Sequence, residues 1–210
     1  GVTSGAGAPA DLVRALSRGA DEGRLMVHSF DAAEQRELTG TAIAGEFPSR
    51  VDDRPQVAVT LNDATGSKMS YYLDYQVEVT PTSCQDGTQE LQGRLTMTSN
   101  APKNAADLPN SVTGGGLYGV PKGTQIVVAD LFGPDGGTIS GLRLDGRPSD
   151  VVRHSFQGRP TMQVPLYLES GQSVEVTWTM TTDQTGDTDV RVTPGVLPER
   201  ESSVVASACS

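Results

Sequence analysis

From Gln56 onward, apolar residues recur at every second position in short runs, and clusters of Gly, Pro, Asp and Asn separate the runs. Alternation of this period places one face of each run on a core and the other in water, the pattern of a half-buried β-strand. The runs predict strands over Val57–Leu61, Ser70–Thr80, Glu90–Ser99, Gln125–Phe132, Ile139–Leu144, Val151–Gln157, Arg159–Glu169, Ser173–Thr181 and Asp189–Thr193. Val174, Val176, Trp178 and Met180 point one way while Glu175, Thr177 and Thr179 point the other, and Tyr75, Val77 and Val79 alternate in the same way with Gln76, Glu78 and Thr80. Many short alternating strands with frequent turn signals predict two packed antiparallel sheets, an immunoglobulin-like sandwich. Trp178 is the only tryptophan, and its alternation partners are all apolar, which favours a place at the centre of the core over a ligand platform on the sheet.

The first 50 residues follow a different period. Pro9 suits a first helical turn, and Leu12, Val13, Leu16 and Ala20 recur at helical spacing until Gly23. Leu25–His28 reads as a short strand. Asp31 with Glu34 three residues on predicts a capped helix to Leu38, with Gly40 as its stop. The chain thus divides into a helical or α/β segment over 1–50, a sandwich over 51–196 and an extended tail over 197–210, poorly ordered except where Cys209 anchors it.

Between two strands, Asn100–Gly123 is a long stretch rich in proline and glycine, with Gly114-Gly115-Gly116 at its centre. Loops of that length inside a compact domain tend to be functional or to pack as Ω-like elements. The connection after the first strand is also unusual: Asn62, Asp63 and Gly66 supply turn geometry. Asp63, Thr65, Lys68, Tyr71 and Tyr72 offer hydrogen bonds and stacking faces for a glycan or peptide. With Asn62, the three glycines and Tyr118, they make up the candidate ligand-binding set, and a purely structural turn is the competing reading.

At 210 residues the chain buries about 70% of the surface its unfolded form exposes, enough for a core without obligatory cross-links. A formal charge of −10 argues against nucleic acid or an anionic membrane as partner. Arginine dominates the basic residues, and Lys68, Lys103 and Lys122 are the only lysines. Residues 1–8 lack the basic and apolar regions of an intact signal peptide, and no apolar run is long enough to span a membrane as a helix. Cys84 and Cys209 lie in polar surroundings and read either as a disulfide, with the export route that implies, or as two free thiols.

Catalytic signatures are absent. No Gly-x-Ser-x-Gly elbow occurs, Gly66-Ser67-Lys68 lacks the spacing and following helix of a phosphate loop, and His28 and His154 lie far apart in sequence. No cofactor is implied. Asp183, Asp187 and Asp189 gather carboxylates around Gly186, either as a weak calcium site or as a solvated hairpin tip.

Several of these segments carry a resemblance. Arg24-Leu25-Met26-Val27-His28-Ser29 with Asp31 and Ala33-Glu34-Gln35, then Leu61-Asn62-Asp63, Thr65-Gly66-Ser67-Lys68-Met69, Tyr71-Tyr72-Leu73, Thr113-Gly114-Gly115-Gly116, Gly119-Val120-Pro121, Val192-Thr193-Pro194-Gly195 and Cys209 together resemble the C-terminal region of the domain of unknown function 4012 family. That family is found mainly in high-GC Gram-positive bacteria, and Asp31-Ala32 replaces its usual Asp-Pro. The resemblance implies a larger, membrane-anchored cell-envelope protein, often associated with surface-polysaccharide genes, and transfers no catalytic residue. The expectation is a noncatalytic extracytoplasmic module that touches wall polysaccharide or an envelope protein. The alternatives are part of a wall-glycopolymer enzyme whose site draws on Asp63, Lys68 or a tyrosine, and a calcium-dependent adhesin.

Overall fold

The computed structural model describes residues 8–46, 53–194 and 203–209. The chain separates into two compact units, Gly1–Pro48 and Ser49–Ser210.

In the first unit, helix α1 spans Pro9–Asp21 and helix α2 spans Ala32–Leu38. Neither helix has a buried residue, and Leu12, Val13 and Leu16 of α1 are all exposed. Leu25–His28 is not a strand, contrary to expectation. Its apolar residues run as irregular chain tied by the Val27 amide to the Ile43 carbonyl at 2.8 Å, because no extended partner lies beside it among the described residues of this unit.

Asp31 caps α2 by accepting from the Ala33 and Glu34 amides at 2.8 and 3.1 Å. The reach-back expected of Glu34 runs through a relay: Ser29 Oγ donates to Glu34 at 2.6 Å and accepts from the Asp31 amide at 3.1 Å. The Glu34 and then the Ala33 amide hold the Asp31 carboxyl below its ordinary value. A depressed carboxyl stabilises the fold at pH values above its unfolded pKa of about 3.9, and the contribution is lost as pH falls through the depressed value. In an NMR titration the Ala33 and Glu34 amides should therefore shift together below the normal aspartate range. A midpoint at or above that range would overturn the cap assignment.

The second unit is mainly β and sandwich-like. One sheet has the order β11–β10–β1–β4–β8–β7, formed by Ser203–Val205, Thr188–Val192, Gln56–Asp63, Gln125–Phe132, Arg159–Leu168 and Val152–Phe156. The other has the order β2–β3–β9–β5–β6, formed by Leu73–Gln85, Thr88–Ser99, Ser173–Thr182, Thr138–Leu144 and Arg147–Pro148. A single core joins them, with Val59, Leu131, Val164 and Leu166 from the first sheet and Tyr75, Leu95, Val176 and Trp178 from the second. Trp178 is buried as expected.

Local sequence accounts for much of this. β3 alternates between exposed and buried positions as far as Met97, while Gln56–Val59 of the central strand β1 are buried at every position. Asp86 and Gly87 at the β2–β3 tip both have positive φ, as a two-residue hairpin requires. Pro81 sits on the edge strand β2 beside a register shift, where a missing N–H is tolerated.

Three expectations need correction. The sheets are not purely antiparallel, since β1 and β10 pair in parallel, Val57 opposite Val190. The chain leaves β9 in one sheet and re-enters the other as β10, which runs in the same direction as β1. Met69–Tyr72 is a 3-10 turn, so the strand predicted from Ser70 starts at Leu73 and continues past Thr80 to Gln85. The tail is more than an extended strap: Ser203–Val205 adds to β10 as an antiparallel edge strand, whereas 195–202 lie outside the described residues.

The tail is held on three sides. Cys84 and Cys209 form a disulfide with their Cα atoms 5.0 Å apart. Fully buried Gln89 accepts from the Ala208 amide at 3.1 Å through Oε1 and donates towards the Gln184 and Gly186 carbonyls at 3.3 and 3.4 Å. Ser207 donates its amide to Asp187 at 3.0 Å, and its hydroxyl lies 2.6 Å from the Thr185 carbonyl.

Candidate functional site

The two unusual segments noted in the sequence fold against each other. Asp63, at the end of β1, organises the connection that follows. Its carboxylate accepts from the Thr65 amide at 2.7 Å, from the Ser67 amide at 3.1 Å and from the Ser67 hydroxyl at 2.6 Å, and it also accepts from the Thr65 hydroxyl. A short acceptor placed before small donors is the Asx-turn logic of local side-chain bonding. Met69 then turns inward and is completely buried with Ala101 and Ala105, while Tyr72, Leu108 and Val112 pack around them. This second, smaller core lies beneath the 100–123 stretch.

That stretch is not structureless. It contains a 3-10 turn at Ala105–Asp107, a short helix α3 at Asn110–Thr113 and a further 3-10 turn at Gly114–Gly116. The Lys68 amide donates to the Val112 carbonyl at 2.8 Å, which fixes the two segments to each other. Gly114 makes the closest approach. Its φ is +70°, and a Cβ there would overlap the Thr65 carbonyl oxygen. Only glycine satisfies both conditions. Tyr118 covers Gly66, where a Cβ would stand 3.1 Å from its ring. Gly116 packs on the Lys122 backbone, and Gly123 on Ala105 and Ala106.

The sequence-derived candidates therefore divide. Asn62, Lys68, Tyr71, Gly116 and Tyr118 are exposed, with Tyr71 at 69% and Tyr118 at 59% of full exposure. Thr65 is buried, Tyr72 is half-buried over Met69, and Gly114 and Gly115 are half-buried packing positions. Tyr71 and Tyr72 meet edge to face with ring centroids 5.3 Å apart, one ring outward and one inward. The carboxylate oxygens of Asp63 are both engaged by the turn. Leu117, at 81% exposure, stands beside Tyr118 and was not among the candidates. Lys103 and Lys122 were also missed, although the crowding of every lysine into these two segments is visible in the sequence.

The aspartates of the β9–β10 connection do not assemble a cation site. Asp189 pairs with Arg54 at 3.0 Å and accepts from Gln56 at 3.1 Å, and Asp187 accepts from the Ser207 amide. Among the described residues no group of three or more His, Cys, Asp or Glu is placed to hold a metal. Their spacing in sequence reflects the crossover between sheets, which turns successive carboxylates towards different partners.

An open depression of about 450 Å³ beside Leu144, Asp145, Arg147, Pro148 and Ser149 contains none of the candidate residues. Among the described residues, no helix is long and apolar enough to cross a membrane. Comparison of the chain with family models, curated proteins and solved structures finds no match.

Proposed function

We propose that this chain is a noncatalytic, extracytoplasmic cell-envelope module that docks wall polysaccharide or an envelope protein through the joined 62–72 and 100–123 segments. The observation that carries the reading is the pairing itself. Two separate stretches close over a small core of their own and leave Tyr71, Leu117, Tyr118 and Lys68 exposed on them. Exposed aromatic and apolar side chains on a built scaffold are costly to leave in water and mark interaction surfaces. The commitment of Asp63 to four hydrogen bonds within its own turn favours a scaffolding role over acid-base work. The Cys84–Cys209 disulfide supports an oxidising compartment. The resemblance to the domain of unknown function 4012 family supports placement in a larger envelope protein.

The test is co-sedimentation of the purified chain with isolated, protein-stripped cell walls, beside Gly114→Val. The wild type is expected to sediment with the walls. The variant cannot seat the 100–123 segment on Thr65 and is expected to lose binding, while its far-UV circular dichroism keeps the sandwich signature. Equal sedimentation by a Gly114→Val protein whose Tyr118 region is demonstrably displaced would overturn the assignment, as would failure of the wild type to sediment.

A further inference from the structure

We infer that the ligand of this surface is an acidic polysaccharide, an inference that rests on the docking role proposed above and specifies its chemistry. The chain carries a net charge of −10, yet its only lysines, Lys68, Lys103 and Lys122, all fall in the two joined segments. Lys68 and Lys103 are exposed and Lys122 is half-exposed. Among the described residues, the ion pairs of Arg14, Arg24, Arg54 and Arg94 involve none of these lysines.

The packing joins the backbone positions next to the three lysines. Lys68 follows Ser67, whose Cβ lies 3.5 Å from where Gly114 would carry its own, and Lys122 lies against Gly116. Gly123 rests on Ala105 and Ala106, just beyond Lys103. The triple glycine is thus flanked by lysines at both ends. The two segments hold Lys68, Lys103 and Lys122 against Asp63 and Asp107, so they are net positive on a chain that is otherwise strongly acidic. A local positive field on an acidic protein steers anions to this one place and repels them elsewhere.

Charge alone would suit any polyanion. Tyr71 and Tyr118 add exposed flat apolar faces to the same two segments: Tyr118 covers Gly66, two residues before Lys68, and Tyr71 follows one turn after it, its amide bonded to the Lys68 carbonyl at 3.3 Å. Such faces suit the C–H surfaces of pyranose rings, and the lysines suit the carboxylates such rings carry.

The experiment titrates the full chain with polygalacturonate, with its highly methyl-esterified form, and with poly-glutamate, at low salt and at about 0.5 M salt. Binding is expected for polygalacturonate, weaker by about tenfold or more for the ester and at high salt, because the pairs are exposed and screened. The Lys68→Gln, Lys103→Gln, Lys122→Gln triple variant should lose it to a similar degree. Tyr71→Ala with Tyr118→Ala should weaken polygalacturonate and leave any poly-glutamate binding unaffected. Equal binding of ester and acid would overturn the acidic class while leaving the docking role intact, and preference for poly-glutamate would reassign the surface to an acidic protein. Retention of binding by the triple variant would overturn the inference outright. Failure of the wall-sedimentation test would instead remove the docking role on which it rests.

Discussion

Opening the Cys84–Cys209 disulfide is expected to lower the melting temperature of the second unit by on the order of 10–20 °C. The bond spans a sequence separation of 125 residues. In the chain-entropy account a cross-link over that length removes roughly 5 kcal/mol of freedom from the unfolded chain, a large share of the ~5–15 kcal/mol by which domains are stable. The consequence is local as well as global. The bond and the Gln89 contacts hold Ser203–Val205 on β10, so the reduced protein should expose the outer edge of β10. The Asp189 amide already donates to Pro55 on the β1 side at 2.8 Å, so by alternation the Thr188 and Val190 amides face β11. These two amides should exchange faster in a Cys84→Ser, Cys209→Ser protein. Calorimetry and hydrogen exchange on that variant decide the matter. A shift of less than a few degrees, with both amides still protected, would mean that the tail docks by its strand and polar contacts alone.

The second large effect concerns a glycine inside the core. Gly93 lies directly opposite Trp178 in the β3–β9 pairing. A Cβ at Gly93 would overlap Cε2 and Cζ2 of the indole and stand 2.5 Å from Nε1. Trp178 therefore lies across β3 in the space that any other residue would fill, and Gly93 occupies a strand interior where glycine is ordinarily unfavourable. Gly93→Ala is expected to destabilise the fold by about 3 kcal/mol, at the upper end for overpacking, despite the small gain from a stiffer unfolded chain. Trp178→Leu removes the obstacle at its own cost in lost burial. The double variant should then be less destabilised than the two single changes added together, by about 1–3 kcal/mol. Urea denaturation of the four proteins measures this coupling. Strict additivity would show that the indole does not depend on the space at Gly93.

Both residues were visible in the sequence, but their dependence on each other was not. Leu91, Gly93 and Leu95 share one face of a readable strand, and so do Val176, Trp178 and Met180. Which of them meet depends on register between strands more than eighty positions apart, and period-two alternation says nothing about that. The same holds for Cys84 and Cys209, whose pairing needed the tail to lie along β10 next to β2. Leu25–His28 failed as a strand because an apolar run extends into a sheet only when a neighbour offers its backbone. Met69–Tyr72 failed for the opposite reason: a second core beneath the long loop drew Met69 inward and bent the chain before the strand could start.

At the candidate site, sequence alone was enough to single out both segments, through their glycine, tyrosine and turn residues, but it gave no reason to place them together. Asp63 had the chemistry of a functional carboxylate, and only the fold revealed that its oxygens are spent on the turn. Asp183, Asp187 and Asp189 looked like a cluster because sequence distance hides the direction in which each side chain leaves the chain. What the sequence determined by itself was local: alternation, turn residues, a helix cap and an acidic chain with few lysines, all set by forces acting over a few neighbouring residues. The tertiary structure decided register, the parallel β1–β10 pair, the strand made by the tail and the meeting of the 62–72 and 100–123 segments. Those depend on burying apolar area between distant parts of the chain, and that gain exists only once the whole core has formed.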